Sequence, residues 1–289
     1  MENILAIITH WDDADAVLSK AEYLAKQFHT QLEVLLPVHT LFGELGRYLN
    51  PADFDRLKGE ALNAQTQTLK QLCADKNYPL HVVWADRIHT TIIEKATAYG
   101  AGLIVMMASH DPRLASLVHT PDDWHLFRET PCPVLSMTRN RQAAKHVIAA
   151  IDSLDTDEAH QQLSARVLDC AAALAKAEDL PLKVISVVPD PALLYAGVVN
   201  APMSANFLID TVDKAKEKAV DTVKRLGIQA NSVDAVSGRV EHFVTSHSQD
   251  QAGLLVIGNS ANKGVKGLLL GNTAERILHH MKSDMLVVN

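Results

Sequence analysis

Ala101-Gly102-Leu103-Ile104-Val105 and Ala252-Gly253-Leu254-Leu255-Val256 are the closest match between two halves of one 289-residue chain. Each is a short apolar run of the length of a buried strand, which has no need of polar alternation when both its faces are covered. From these runs the register holds without gaps to Val134-Leu135-Ser136-Met137 and Met285-Leu286-Val287-Val288. A constant offset over that distance means equal loops, and therefore one supersecondary pattern written twice.

The same pairing extends toward the start of each half. Asn3-Ile4-Leu5-Ala6-Ile7-Ile8-Thr9 and His146-Val147-Ile148-Ala149-Ala150-Ile151-Asp152 each open a half as a strand. Helical spacing follows, with apolar residues at Val17, Leu18, Ala21, Leu24, Ala25 and Phe28, and at Leu163, Val167, Leu168, Ala171, Leu174 and Ala175. These positions form one buried face in each helix. A second strand comes at Leu32–Val38 and Leu182–Val188, and a third near Leu80–Ala85 and Ser232–Val236. Alternating strands and helices predict an α/β fold, two tandem doubly wound parallel sheets with right-handed crossovers. The expected domains are residues 1–143 and 144–289, joined near Arg139–Lys145.

Each half also carries an extra segment, Leu41–Arg56 and Pro191–Asp210. The second contains Leu193-Leu194-Tyr195-Ala196-Gly197-Val198-Val199 and Phe207-Leu208-Ile209, too apolar to lie freely on a surface. It reads either as a cover for the sheet or a partner, or as the lining of a pocket for an apolar, lipid-like ligand.

Composition narrows the function class. With 47% hydrophobic and 21% charged residues the chain is an ordinary globular protein. No apolar run approaches the ~20 residues needed to span a bilayer. Met1-Glu2-Asn3-Ile4-Leu5 leads into a strand and not an export signal, so a soluble, cytoplasmic protein with no membrane partner is expected. A net charge of −7 without a Lys/Arg cluster argues against nucleic acid as a partner. Cys73, Cys132 and Cys170 are odd in number and form no CxxC pair, which predicts reduced, mostly buried thiols and no thiolate zinc site.

The chemically informative stretch is Gly258-Asn259-Ser260-Ala261-Asn262-Lys263-Gly264-Val265-Lys266-Gly267-Leu268-Leu269-Leu270-Gly271-Asn272-Thr273-Ala274-Glu275-Arg276, joining a strand to a helix. Glycines in that setting let backbone N–H groups approach phosphate oxygens, and the helix N-terminus adds partial positive charge. The stretch resembles the universal stress protein family, whose nucleotide-binding members carry Gly, two residues, Gly, nine residues, Gly, then Ser or Thr. Gly258 and Gly271 match the outer glycines, while Ala261 replaces the middle one and Asn272 the hydroxyl residue. The resemblance reaches the whole chain and is strongest to the E-type tandem members, through Thr120-Pro121-Asp122-Asp123-Trp124-His125-Leu126-Phe127, Cys132-Pro133-Val134 and Gly271-Asn272-Thr273-Ala274-Glu275.

The resemblance implies a stress-response protein without enzymatic activity. It also implies an adenine-nucleotide site, ATP included, built from Asp152, Val187, Ile257, Gly258, Ala261, Gly271, Asn272 and Thr273. Asp152 would sit near adenine and ribose, the loop amides would hold the phosphates, and Lys263 and Lys266 would add charge. A competing reading of the loop needs no ligand: Asn272 with Glu275 is a helix-capping pair. The family also implies pairing of the halves through Val134–Met137 and Met285–Val288, and a homodimer as a further assembly.

In the first half Met107, His110, Thr120 and Pro121 stand where the second has Gly258, Ala261, Gly271 and Asn272, and Thr9 replaces Asp152. Thr120 reads as a cap, Pro121 as the first helical residue, and Asp122 and Asp123 as acids that complement the helix dipole and repel phosphate. The phosphate loop is therefore lost there and only a degenerate one is kept in the second half. No catalytic residue is assigned: GxSxG is absent, and Cys132 lies between two prolines. A slow ATPase is the weakest reading, since the P-loop lysine followed by Ser/Thr is missing. No metal site is assigned either, because His242 and His247 are five apart, His279 and His280 are adjacent, and His119 and His125 flank a capped helix start.

Overall fold

Strands and helices alternate in the computed structural model, which describes residues 2–39, 48–108, 122–139, 143–189, 205–238, 253–259 and 283–289. The chain divides into two units, Met1–Arg139 and Asn140–Asn289. The first unit contains β1 (Ile4–Ile7), α1 (Ala14–Phe28), β2 (Leu32–Val38), α2 (Pro51–Leu72), β3 (Leu80–Trp84), α3 (Ile88–Tyr99), β4 (Leu103–Met107), α4 (Asp122–Glu129) and β5 (Val134–Met137). Its sheet runs β3-β2-β1-β4-β5, parallel throughout. The second unit contains β6 (His146–Ile151), α5 (Glu158–Glu178), β7 (Leu182–Pro189), α6 (Ala205–Arg225), β8 (Ser232–Gly238), β9 (Gly253–Gly258) and β10 (Met285–Val288). Its sheet runs β8-β7-β6-β9-β10, again all parallel.

The central strands are apolar because helices and sheet leave them no water: every residue of β1, β4 and β10 is buried. Helix α1 meets the sheet through Val17, Leu18, Ala21 and Leu24, and α5 through Val167, Leu168, Ala171 and Leu174. Caps fix where helices start. Asn50 accepts a hydrogen bond from the Asp53 amide at 2.9 Å ahead of Pro51, and Asp157 accepts one from the His160 amide at 3.2 Å. Both α1 and α5 end on a left-handed residue, His29 and Asp179, whose amides close the last turn.

The two sheets share one register. Ile4 pairs with Leu103 and with Leu32 in the first, and Val147 pairs with Leu254 and with Leu182 in the second. Thr9 and Asp152 therefore occupy equivalent places, as do Met107 and Gly258, and Leu36 and Ser186.

The extra segments differ from expectation. Helix α2 begins at Pro51, so Pro51–Arg56 is helical, and Ala205–Asp210 forms the first turns of α6. Ile209 is 57% exposed because it lies off the row of Ala215, Ala219 and Val223 that meets the sheet. Residues 41–47 and 191–204, the remainder of both segments apart from Tyr48, Leu49 and Asn50, lie outside the described residues.

Candidate functional site

In each sheet the strand order reverses between two central strands, β1 and β4 in one and β6 and β9 in the other. Ligands of open α/β sheets bind beyond the carboxyl ends of the strands at such a point. In the second unit Asp152 leaves β6 there, while Ile257 and Gly258 close β9 in register with it. The exposed Asp152 folds back on its own loop: Oδ1 accepts hydrogen bonds from the Leu154 amide at 3.0 Å and the Asp155 amide at 3.2 Å. That side-chain turn fixes the carboxylate, whose Oδ2 accepts no hydrogen bond from the described residues.

A cleft of about 280 Å³ opens beside it, lined by Asp152, Leu154, Asp155, Ser186, Val187 and Val188. This lies just under the ~300 Å³ at the small end of ligand pockets. A second cleft of about 240 Å³ shares Asp152 and Asp155 and reaches Gln161 and Ser164 of α5 and Lys218 and Arg225 of α6. Asp152 and Val187 are thus brought together, with the buried Ile257 and the half-buried Gly258 on the neighbouring side of β6. Ala261, Gly271, Asn272 and Thr273, with Lys263 and Lys266, lie outside the described residues.

Gly258 has a packing role that the motif does not reveal. A Cβ built there would meet Leu163 Cγ at 2.8 Å and Cδ2 at 2.9 Å, closer than real carbons approach. Helix α5 therefore sits against the end of β9 only because the strand ends without a side chain. The loop between β6 and α5 is equally specific. Asp155 Oδ1 accepts from the Asp157 amide at 2.8 Å, and the His160 ring lies 3.2 Å from both the Asp155 and Asp157 carboxylates.

The first unit fills the same place differently. Met107, 4% exposed, stands at the position of Gly258, and Asp13, the residue just before α1, stands where the apolar row of that helix would put the counterpart of Leu163. Asp13 is also 4% exposed, and Arg139 forks onto it, Nε to Oδ1 at 2.8 Å and Nη2 to Oδ2 at 2.7 Å. The hydrogen bonds from Arg139 hold the Asp13 carboxyl below its usual range, overriding burial, with further help from the charges of Arg139 and His10. Trp11 donates its indole N–H to Gln65 at 2.8 Å. His110, His119, Thr120 and Pro121 lie outside the described residues; Asp122 and Asp123 begin α4.

Other reactive groups are occupied. His125 Nδ1 lies 2.9 Å from Glu129 and its ring stacks on His89, centroids 4.2 Å apart. Among the described residues no three His, Cys, Asp or Glu side chains converge as metal ligands. His242, His247, His279 and His280 lie outside that set. Burial pushes the Cys132 thiol up to about 12 and the Cys170 thiol to about 11, so neither is a thiolate at neutral pH. No helix among the described residues is long and apolar enough to cross a membrane.

Comparison with known proteins agrees with the repeat. The universal stress protein family matches residues 1–136 and again 144–289. Universal stress protein E of Escherichia coli (strain K12) is 24% identical, with 99% of this chain and 93% of the relative aligned. The universal stress protein E homolog of Haemophilus influenzae is 22% identical over 99% of this chain and 96% of its own. Among solved structures, a Pseudomonas aeruginosa UCBPP-PA14 protein assigned to the universal stress proteins superposes with a TM-score of 0.73 at 26% identity, covering 100% of this chain and 93% of that one. A universal stress protein from Archaeoglobus fulgidus DSM 4304 gives a TM-score of 0.63 at 14% identity, covering 99% and 96%, a likeness of fold.

Proposed function

Because this chain belongs to the universal stress protein family and carries its domain twice, we propose that it is a non-enzymatic stress-response protein whose second unit binds an adenine nucleotide such as ATP. The observation that carries the nucleotide reading is Asp152. Its carboxylate is held at the reversal point of the second sheet by two backbone amides, beside a cleft of about 280 Å³ that Val187 also lines. In this reading Oδ2 accepts hydrogen bonds from the adenine amino group or the ribose hydroxyls, as a free carboxylate oxygen can. The family motif supplies the rest of the reading, with the backbone around Ala261, Gly271, Asn272 and Thr273 taking the phosphates.

The first unit contributes no second nucleotide site in this proposal. Thr9 offers no carboxylate, and Met107 occupies the place of Gly258. A role as binder and not catalyst is supported by family membership.

Thermal denaturation with ATP and ADP tests the reading. A ligand specific to the native state stabilises it by about 2.7 kcal/mol at a hundredfold excess over Kd. ATP should raise the melting temperature of the wild type, and Asp152→Ala should remove the rise. An unchanged melting temperature at millimolar ATP contradicts it.

A further inference from the structure

Ser186 is 1% exposed, one of few polar side chains in an otherwise apolar core, and the first unit has Leu36 at the same register position. A buried hydroxyl is costly unless its hydrogen bonds are made. Here they are, and their directions can be assigned. Ser153 Oγ lies 2.8 Å from the Ala215 carbonyl oxygen, which can only accept, so Ser153 O–H donates to Ala215. Ser153 Oγ also lies 2.8 Å from Ser186 Oγ, and with its own proton already given it must accept there, so Ser186 O–H donates to Ser153. The Ser153 amide closes the circuit onto Ser186 Oγ at 3.3 Å.

This chain of hydroxyls joins β7, the residue after Asp152, and helix α6. A second hydroxyl meets Asp152 from α5, where Ser164 Oγ donates to the Asp152 carbonyl oxygen at 3.4 Å. The Asp152 carboxylate is tied to Leu154 and Asp155 of its own loop, and Asp152 follows directly on β6, so what the hydroxyl chain adds is the tie between this turn and the neighbouring strand β7.

We propose that Ser186 is a positioning residue for the cleft, acting through Ser153 to hold the Asp152 turn where its carboxylate meets a ligand. The inference rests on the nucleotide reading for its consequence, but the anchoring itself does not require a ligand. Ser186→Ala removes the donor to Ser153 Oγ and the acceptor of the Ser153 amide together. Ser186→Thr keeps both.

Amide-resolved hydrogen exchange on the full chain reads the anchoring, and calorimetric titration with ATP reads its consequence. In Ser186→Ala the Leu154 and Asp155 amides should lose about tenfold in protection, the equivalent of one hydrogen bond, while the β6 core amides keep theirs. ATP affinity should fall by a similar factor and return in Ser186→Thr. Ser153→Ala, which breaks the same chain from the other end, should repeat the loss.

Unchanged protection at Leu154 and Asp155 in both alanine variants overturns the proposal. So does lost protection with unchanged ATP affinity. If the wild type binds no ATP while protection falls as stated, the nucleotide reading fails and the anchoring of the Asp152 turn stands.

Discussion

The two reversal points are built from the same strands in the same register and are packed with opposite chemistry. In the second unit the strand end is a glycine and the helix supplies Leu163 to cover it; in the first the strand end is Met107 and the residue just before the helix is a carboxylate, Asp13, tied off by Arg139. Where the sheet next needs a residue, the second unit buries a hydroxyl and the first a leucine. A duplicated fold can thus keep its backbone while one copy holds a polar crevice with an exposed acid and the other carries a buried acid paired with an arginine.

The ion pair should give the largest effect if it is broken from the basic side. Arg139→Ala leaves the buried Asp13 carboxylate uncompensated and should destabilise the chain by about 3 kcal/mol, the low end for such pairs because Arg139 is partly in water. Urea denaturation measures it. Adding Asp13→Asn to that variant should recover part of the loss. Equal stability of Arg139→Ala and wild type would mean the fork contributes nothing.

Next in size is the glycine. Gly258→Ala drives a Cβ into Leu163 and should cost about 2 kcal/mol, a typical overpacking penalty. If the glycine is there for packing, Leu163→Ala in the same chain should relieve the added cost, giving a coupling energy well above 0.5 kcal/mol in a double-mutant cycle. Additive losses would return Gly258 to a role in ligand approach alone.

Acid should discriminate the units more gently. The folded Asp13 carboxyl lies below its ordinary value of 3.8, so its contribution is complete above that pH and is lost as pH falls through the lower folded value. Acid titration of stability below about pH 4 should therefore be steeper in the wild type than in Asp13→Asn. The smallest effect belongs to Thr9→Ala, a change at the first unit's counterpart of Asp152, which should leave stability within about 0.5 kcal/mol and ATP binding unaltered.

The strands could be read from sequence because their apolar runs are local and repeated; Val134–Met137 and Met285–Val288 fall where the repeat puts them. The constant offset also identified Met107 with Gly258, and the matching opening strands identified Thr9 with Asp152, pairings that the shared sheet register reproduces. What the sequence withheld lies in contacts between distant residues. Asp13 and Arg139 are 126 positions apart, and Ser153 reaches Ala215 across 62. One signal was visible: just ahead of α1 an aspartate continues the apolar row at the place where the other half has Leu163, and a buried acid calls for a base. The exposure of Ile209 was hidden for a related reason, since the apolarity of a run does not say which side of a helix faces the sheet.

Calorimetric titration of the intact chain with ATP, counting sites, tests the asymmetry most directly. The account predicts one site per chain, lost in Asp152→Ala and kept in Thr9→Ala. Two sites per chain, or a single site that survives Asp152→Ala, would contradict it.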